Sequence, residues 1–126
     1  MNEILKNTTK EELPSIKELR TGEITRFSCT IDSKEVGFVT LTLIDKDVYD
    51  ISGLFVGPSE RGQGISTKLL KSVNNFLEKN NALGKLVNTI KGDTANLYEK
   101  NNWVKGDYSS HGAYGAYEYT YDCRKK

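Results

Sequence analysis

The segment Val56-Gly57-Pro58-Ser59-Glu60-Arg61-Gly62-Gln63-Gly64-Ile65-Ser66 constrains this chain more than any other. It follows a strand-like run, Val48 to Val56. It leads straight into a stretch where Ile65, Leu69, Leu70, Val73, Phe76 and Leu77 recur at helical spacing. Glycines let such a loop curl its backbone so that successive N–H groups point into one concavity. The helix N-terminus adds partial positive charge, and the two together make a cradle for phosphate or pyrophosphate. Two familiar versions of that cradle fail on the residues. Gly57 and Gly62 have the spacing of a nucleotide P-loop, but Gln63 and Gly64 stand where Lys and Ser or Thr are needed. Gly62-Gln63-Gly64 opens a dinucleotide fingerprint, but Thr67 occupies the place of its third glycine.

The rest of the chain supplies elements around this loop. Thr8 and Thr9 precede Glu11 and Glu12 at capping-box spacing, and Leu13, Ile16 and Leu19 give an apolar stripe. These predict a short helix ended by Gly22. Runs from Ile24 to Ile31, Val36 to Ile44 and Val48 to Val56 read as strands, separated by turns short enough for antiparallel pairing. After the main helix, Lys85 to Ile90 reads as a strand and Asp93 to Asn101 as a helix. Trp103 to Tyr108 and Ala116 to Cys123 read as two final strands. The order β-α-β-β-β-α-β-α-β-β is that of an α/β protein, with helices on a mostly antiparallel sheet. The strand-helix-strand unit from 48 to 90 should be its parallel part. Trp103 is expected in the core, as is the face formed by Tyr117, Tyr119 and Tyr121.

At 126 residues the chain is expected to be a single domain, residues 1–126. Its apolar runs are too short for a membrane span, and its first ten residues lack the pattern of a secretory signal. Cys29 and Cys123 are far apart and read as reduced thiols, and neither they nor His111 have metal-ligand spacing, so no metal is expected. These features point to a cytoplasmic protein, as a monomer or a homodimer. A net charge of +1 argues against a nucleic-acid binder. The charge is unevenly spread, however. Residues 1–60 carry seven basic and eleven acidic side chains, while residues 61–126 carry eleven basic and six acidic. The change of sign falls at Arg61, where the cradle begins.

The loop resembles that of the GNAT superfamily of N-acetyltransferases, whose acetyl-CoA motif reads Q/R-x-x-G-x-G/A after a strand. Arg61, Gly62, Gln63, Gly64 and Ile65 match, and Ser66 stands where Gly or Ala is usual. Leu97-Tyr98-Glu99-Lys100-Asn101-Asn102-Trp103 is similar to the family's L-Y-E-K-x-G-F block, with Asn102 and Trp103 replacing the glycine and its aromatic partner. The opening from Ile4 to Ile16 is similar to the family's first strand and helix. The resemblance implies a GNAT-like mixed sheet with a V-shaped splay for acetyl-CoA. Because Arg20-Thr21-Gly22 leads almost directly into the next strand, it also implies a shortened N-terminal helical region and an open acceptor groove.

The implied activity is direct acetyl transfer from acetyl-CoA, a co-substrate, to a primary amine on a bulky or macromolecular acceptor such as a protein. The alternative is a non-catalytic CoA-binding or protein-interaction module on the same fold. The resemblance places the pyrophosphate on Arg61, Gly62, Gln63, Gly64, Ile65 and Ser66. It places the pantetheine arm along the backbone of Phe55 and Val56, and adds Asn96 to the cofactor-binding set. Leu54 N–H would polarise the thioester carbonyl, and Tyr98 would be the general acid at the sulfur. Asp50 is the candidate base, on strand alternation a partner of Ser52 and Leu54 on one face. A relaying water is the other reading.

Overall fold

The computed structural model describes residues 14–89, 94–111 and 114–125. Among these residues seven strands form one sheet: β1 (Ser15–Thr21), β2 (Ile24–Ile31), β3 (Lys34–Asp45), β4 (Val48–Val56), β5 (Leu83–Thr89), β6 (Val104–His111) and β7 (Tyr114–Asp122). Their spatial order is β1-β2-β3-β4-β5-β7-β6. Helix α1 (Ile65–Lys79) joins β4 to β5, and α2 (Thr94–Lys100) joins β5 to β6. Among the described strands only β4 and β5 run parallel, as the crossover through α1 requires. The fold is the mixed, mostly antiparallel sheet with flanking helices that the sequence predicts.

Two-residue turns set the first half of the sheet. Asp32 and Ser33 both have positive φ, 53° and 66°, the geometry that matches the twist of a tight hairpin between β2 and β3. One expected element is overturned. The apolar stripe predicted a helix through Ile16 and Leu19, but Ser15–Thr21 is a strand, paired from Ser15↔Thr30 to Thr21↔Ile24. The Thr8–Leu13 part of that expectation lies outside the described residues. Gly22, with φ +61°, does not end a helix but turns β1 back onto β2. Pairing along the whole of β2 outweighs a local period that seven residues cannot make cooperative.

Helix α1 buries Ile65, Leu69, Leu70, Val73, Phe76 and Leu77 against the sheet. They meet Phe27, Cys29, Val39, Leu41, Tyr49 and Ile51 from β2, β3 and β4. The Phe76 ring lies edge-on to Phe27 at 5.9 Å and to Tyr49 at 5.2 Å. Asn74 is also buried. Its Oδ1 accepts from Trp103 Nε1 at 2.8 Å, and its Nδ2 donates to the Asn101 carbonyl at 3.0 Å. One amide thereby ties α1 to the turn after α2. Trp103 sits in the core as expected, stacked on Tyr121 at 5.6 Å. Tyr119 is buried, while Tyr117 and Tyr121 are half-buried against the same core.

The sheet has a joint. β4 and β5 pair at Val48↔Leu83, Tyr49↔Gly84 and Asp50↔Lys85, and nowhere beyond among the described residues. The rest of β5, from Leu86 to Thr89, pairs with β7 alone. Four strands on one side and three on the other are therefore joined at one end and parted at the other.

Candidate active site

The parting begins where β4 changes register. Thr40 pairs with Ser52, but Phe38 pairs with Phe55, so β4 carries an extra residue in a bulge between Ser52 and Phe55. Before the bulge, Tyr49 and Ile51 face the core while Asp50 and Ser52 are exposed on the opposite face. After it, Val56 is buried, Leu54 packs on the core, and Phe55 is 45% exposed. Simple alternation puts Asp50, Ser52 and Leu54 on one face, and the structure overturns that: Leu54 lies on the other. The bulge transfers Leu54 to the helix side and leaves Phe55 with Asp50 and Ser52.

On that open face Phe55 meets Phe38, with ring centres 5.5 Å apart. The Arg26 guanidinium lies 4.0 Å over the Phe38 ring and pairs with Glu35 at 2.7 Å. Sequence reasoning missed Arg26, Glu35 and Phe38, because what joins them is pairing between β2, β3 and β4. Both described helices lie on the other face. Trp103, in contact with Tyr98 of α2, would touch a Cβ on Gly84 at 3.0 Å, and Leu77 of α1 would touch the same Cβ at 2.6 Å.

At the end of β4 the chain makes a short 3₁₀ turn, Pro58–Glu60. Arg61, Gly62, Gln63 and Gly64 follow, all exposed. Gly62 and Gly64 have φ of +82° and +79°, a region that side-chain-bearing residues enter only with strain. Gly64 is the N-cap of α1, and no side chain caps this end. The first intrahelical bond runs from Lys68 N–H to Gly64 O at 3.1 Å. The N–H groups of Ile65, Ser66 and Thr67 therefore have no helical acceptor. A Cβ on Gly64 would meet nothing within 4 Å, so the space beside this helix start is open. The cradle is thus present as donors without a built-in acceptor, which fits a phosphate group.

Gly37 sets how the helix start sits on the sheet. A Cβ there would lie 2.8 Å from Phe55 O, 3.2 Å from Leu69 Cδ1 and 3.3 Å from Ile65 Cγ2. Its absence lets β3, the end of β4 and the first turn of α1 come together. The loop is also tied to the sheet by hydrogen bonds. Gly57 N–H donates to Val36 O at 2.8 Å, and Arg61 Nε donates to Val56 O at 3.1 Å.

Tyr98 stands apart from the loop, on α2. It is only 6% exposed and packs on Trp103 at 5.9 Å and Tyr119 at 5.6 Å. Burial, reinforced by Tyr119, pushes its phenol up to about 12. Such a group keeps its proton at neutral pH and can donate a hydrogen bond. Handing the proton fully to a thiolate of ordinary thiol pKa, ~8.5, would be uphill by roughly 5 kcal/mol. Of Asn96 the structure describes the backbone, in the first turn of α2. The structure therefore brings Leu54, Phe55, Val56 and residues 61–66 into one continuous edge of strand and loop. It puts Asp50 on the open face at the joint, and Tyr98 in the core of the other half-sheet, against Trp103 and Tyr119.

The chain matches the model of the acetyltransferase (GNAT) domain over residues 24–105. No curated protein matches it in sequence. Among solved structures, the ribosomal-protein-S18-alanine N-acetyltransferase from Escherichia coli superposes with a TM-score of 0.78 at 16% identity, covering 90% of this chain and 96% of that one. An aminoglycoside 6'-N-acetyltransferase complexed with coenzyme A gives 0.71 at 11% identity, over 82% of this chain and 75% of that one. The PaiA N-acetyltransferase from Thermoplasma acidophilum, in complex with coenzyme A, gives 0.65 at 21% identity, over 79% and 62%. These likenesses establish a shared fold, and the family match spans most of the chain, from β2 into β6. With the family model matched from β2 into β6, across the parted strands and the glycine loop, this chain belongs to the GNAT acetyltransferase family.

Proposed function

We propose that this chain moves an acetyl group from acetyl-CoA directly to a primary amine on a bulky or macromolecular acceptor. One observation carries the reading. The strand whose outer edge is released at the joint is the strand that ends in the uncapped glycine loop. A long ligand with an anionic middle and a narrow arm fits that arrangement. Coenzyme A, bound by two of the structurally similar proteins, is such a ligand.

In this reading the N–H groups of Gly62, Gln63, Gly64, Ile65 and Ser66 hold the pyrophosphate, with Arg61 at the mouth. The pantetheine arm runs along Phe55 and Val56, with Val56 N–H as its donor, Leu54 N–H polarises the thioester carbonyl, and Asn96 borders the cofactor. The acceptor nitrogen forms its bond to the carbonyl carbon as the C–S bond breaks. The proton lost by the amine goes to Asp50 or to a water beside it. Tyr98 steadies the departing sulfur as a hydrogen-bond donor, in keeping with its raised pKa. The acceptor reading rests on the exposed face around Asp50, Ser52 and Phe55, which no described helix covers. A narrow small-molecule pocket needs such a cover.

The test is thiol release from acetyl-CoA with lysine peptides, peptide N-termini, polyamines and aminoglycosides as acceptors. Turnover on peptides at least tenfold above that on small amines is expected. Tight binding of CoA with no release on any acceptor would instead establish a binding module, and failure to bind CoA would overturn the reading altogether.

A further inference from the structure

Arg61 would ordinarily be read as a cation waiting for phosphate. Its side chain is already engaged in another way. Nε donates to the carbonyl of Val56 at 3.1 Å. The N–H of the next residue, Gly57, donates to Val36 O at 2.8 Å. Val56 C=O and Gly57 N–H belong to one peptide unit, which is planar and trans. Its two polar ends are therefore held from opposite sides, one by β3 and one by the Arg61 side chain. The unit sits where β4 ends and the 3₁₀ turn begins, so its tilt sets the direction in which the loop leaves the sheet.

The register shows which side is which. Gly37 and Val56 are opposite one another, and the bond from Gly57 N–H to Val36 O makes theirs a non-hydrogen-bonded antiparallel pair. The N–H and C=O of Val56 accordingly both point away from β3, toward the side from which β5 has parted. Left alone, that edge would present a donor and an acceptor together. With Arg61 on the carbonyl, one of its two lone pairs is taken and its direction is fixed, and the N–H remains for a ligand.

We infer that Arg61 is a positioning residue: its Nε–H pins the Val56–Gly57 peptide plane, aims Val56 N–H into the cleft and sets the exit angle of the loop. The inference rests on the cleft being the CoA site, as proposed above. The part of Arg61 that matters is then one N–H at a fixed reach, not its positive charge. Chemistry offers a clean way to separate the two. The amide nitrogen of Gln is attached to Cδ, as Nε of Arg is, so Arg61→Gln keeps a donor at the same reach and removes the charge. Arg61→Lys keeps the charge but moves the donor one methylene further out. Arg61→Ala removes both.

Two measurements on the full chain test this: amide hydrogen exchange at Gly57 and calorimetric binding of coenzyme A. Loss of one hydrogen bond is worth roughly a tenfold change in an opening equilibrium. Arg61→Ala and Arg61→Lys should speed Gly57 exchange and weaken CoA binding, each about tenfold, while Arg61→Gln should change either by less than threefold. The opposite ranking, with Lys close to the parent protein and Gln as damaged as Ala, would overturn the inference in favour of a charge contact. Unchanged Gly57 exchange in Arg61→Ala would overturn it too. If the unaltered protein binds no CoA, the functional reading falls, while the pinning of the peptide plane still stands or falls on exchange alone.

Discussion

The two halves of β4 are adjacent in sequence and opposite in circumstance. From Val48 to Asp50 the strand is paired on both sides, to β3 and to β5. At Phe55 and Val56 it is paired to β3 only, and its other edge faces the parted side of the sheet. A bulge separates the two stretches. In the first half, hydrogen-bonding capacity is used up by neighbours, and the strand's work is to join two half-sheets. In the second half one edge has no strand beside it, and the strand keeps an outward N–H that a ligand can pair with. A chain can thus build scaffold and site from a single nine-residue strand by adding one residue to its register.

The sharpest way to break this contrast is at the glycines beside each half. Gly84 pairs with Tyr49 at the joint, and a Cβ there would press on Leu77 at 2.6 Å and Trp103 at 3.0 Å. Gly84→Val should cost about 3 kcal/mol or more in denaturant unfolding, as overpacking does in a tight core. Gly37 borders the released half. Gly37→Val should destabilise by a similar amount, and among molecules that remain folded it should weaken CoA binding more than Gly84→Val does, because it displaces Phe55 and the start of α1 directly. Equal binding by both variants would show that the two halves are not functionally distinct.

Tyr98 gives the next largest effect. Its phenol is raised from 10 to about 12 by burial. The neutral form is the one the fold favours, so its contribution is intact below pH 10 and is lost as pH climbs toward 12. Linkage puts that loss at about 3 kcal/mol. Tyr98→Phe should move the alkaline unfolding midpoint upward and lower kcat about tenfold while leaving the neutral-pH fold intact. Retention of full turnover would remove Tyr98 from the reaction. A smaller effect is expected at the cradle, where Gly64→Ala should cost about 1–2 kcal/mol for its left-handed backbone and weaken CoA binding more than it lowers stability. Smallest of all is Arg26→Ala. The Arg26–Glu35 pair is more than a third exposed, and its loss should change stability by under ~1 kcal/mol.

What could be read in advance follows the same division. Helix α1 and the loop before it were legible because their signals are local: a 3.6-residue apolar period and glycines at fixed spacing. The pairing order of β2, β3 and β4 followed from short turns. Strand β1 was not legible, because Ile16 and Leu19 suit a helix stripe as well as a strand, and its pairing with β2 decided the matter. The bulge was invisible for a related reason. Nothing in Ser52 to Phe55 by itself announces an extra residue, since a bulge is a relation between two strands. Asn74 was hidden as well. A polar residue within an apolar helix face reads as surface until Trp103 arrives from 29 residues away to receive it.

The joint between β4 and β5 has a mechanical consequence. From Leu86 to Thr89, β5 extends past its last pairing with β4 and is braced by β7. That overhang is about 13 Å long at strand rise. It acts as a lever arm whose fulcrum is the pairing at Asp50 and Lys85. A tilt of about 5° there swings the far end by roughly 1 Å, a third of a hydrogen-bond length, where the two half-sheets are parted. Residues packed at the fulcrum, Gly84, Leu77 and Trp103, therefore set the aperture of the cleft from a distance, and substitutions among them can retune its width without touching its lining.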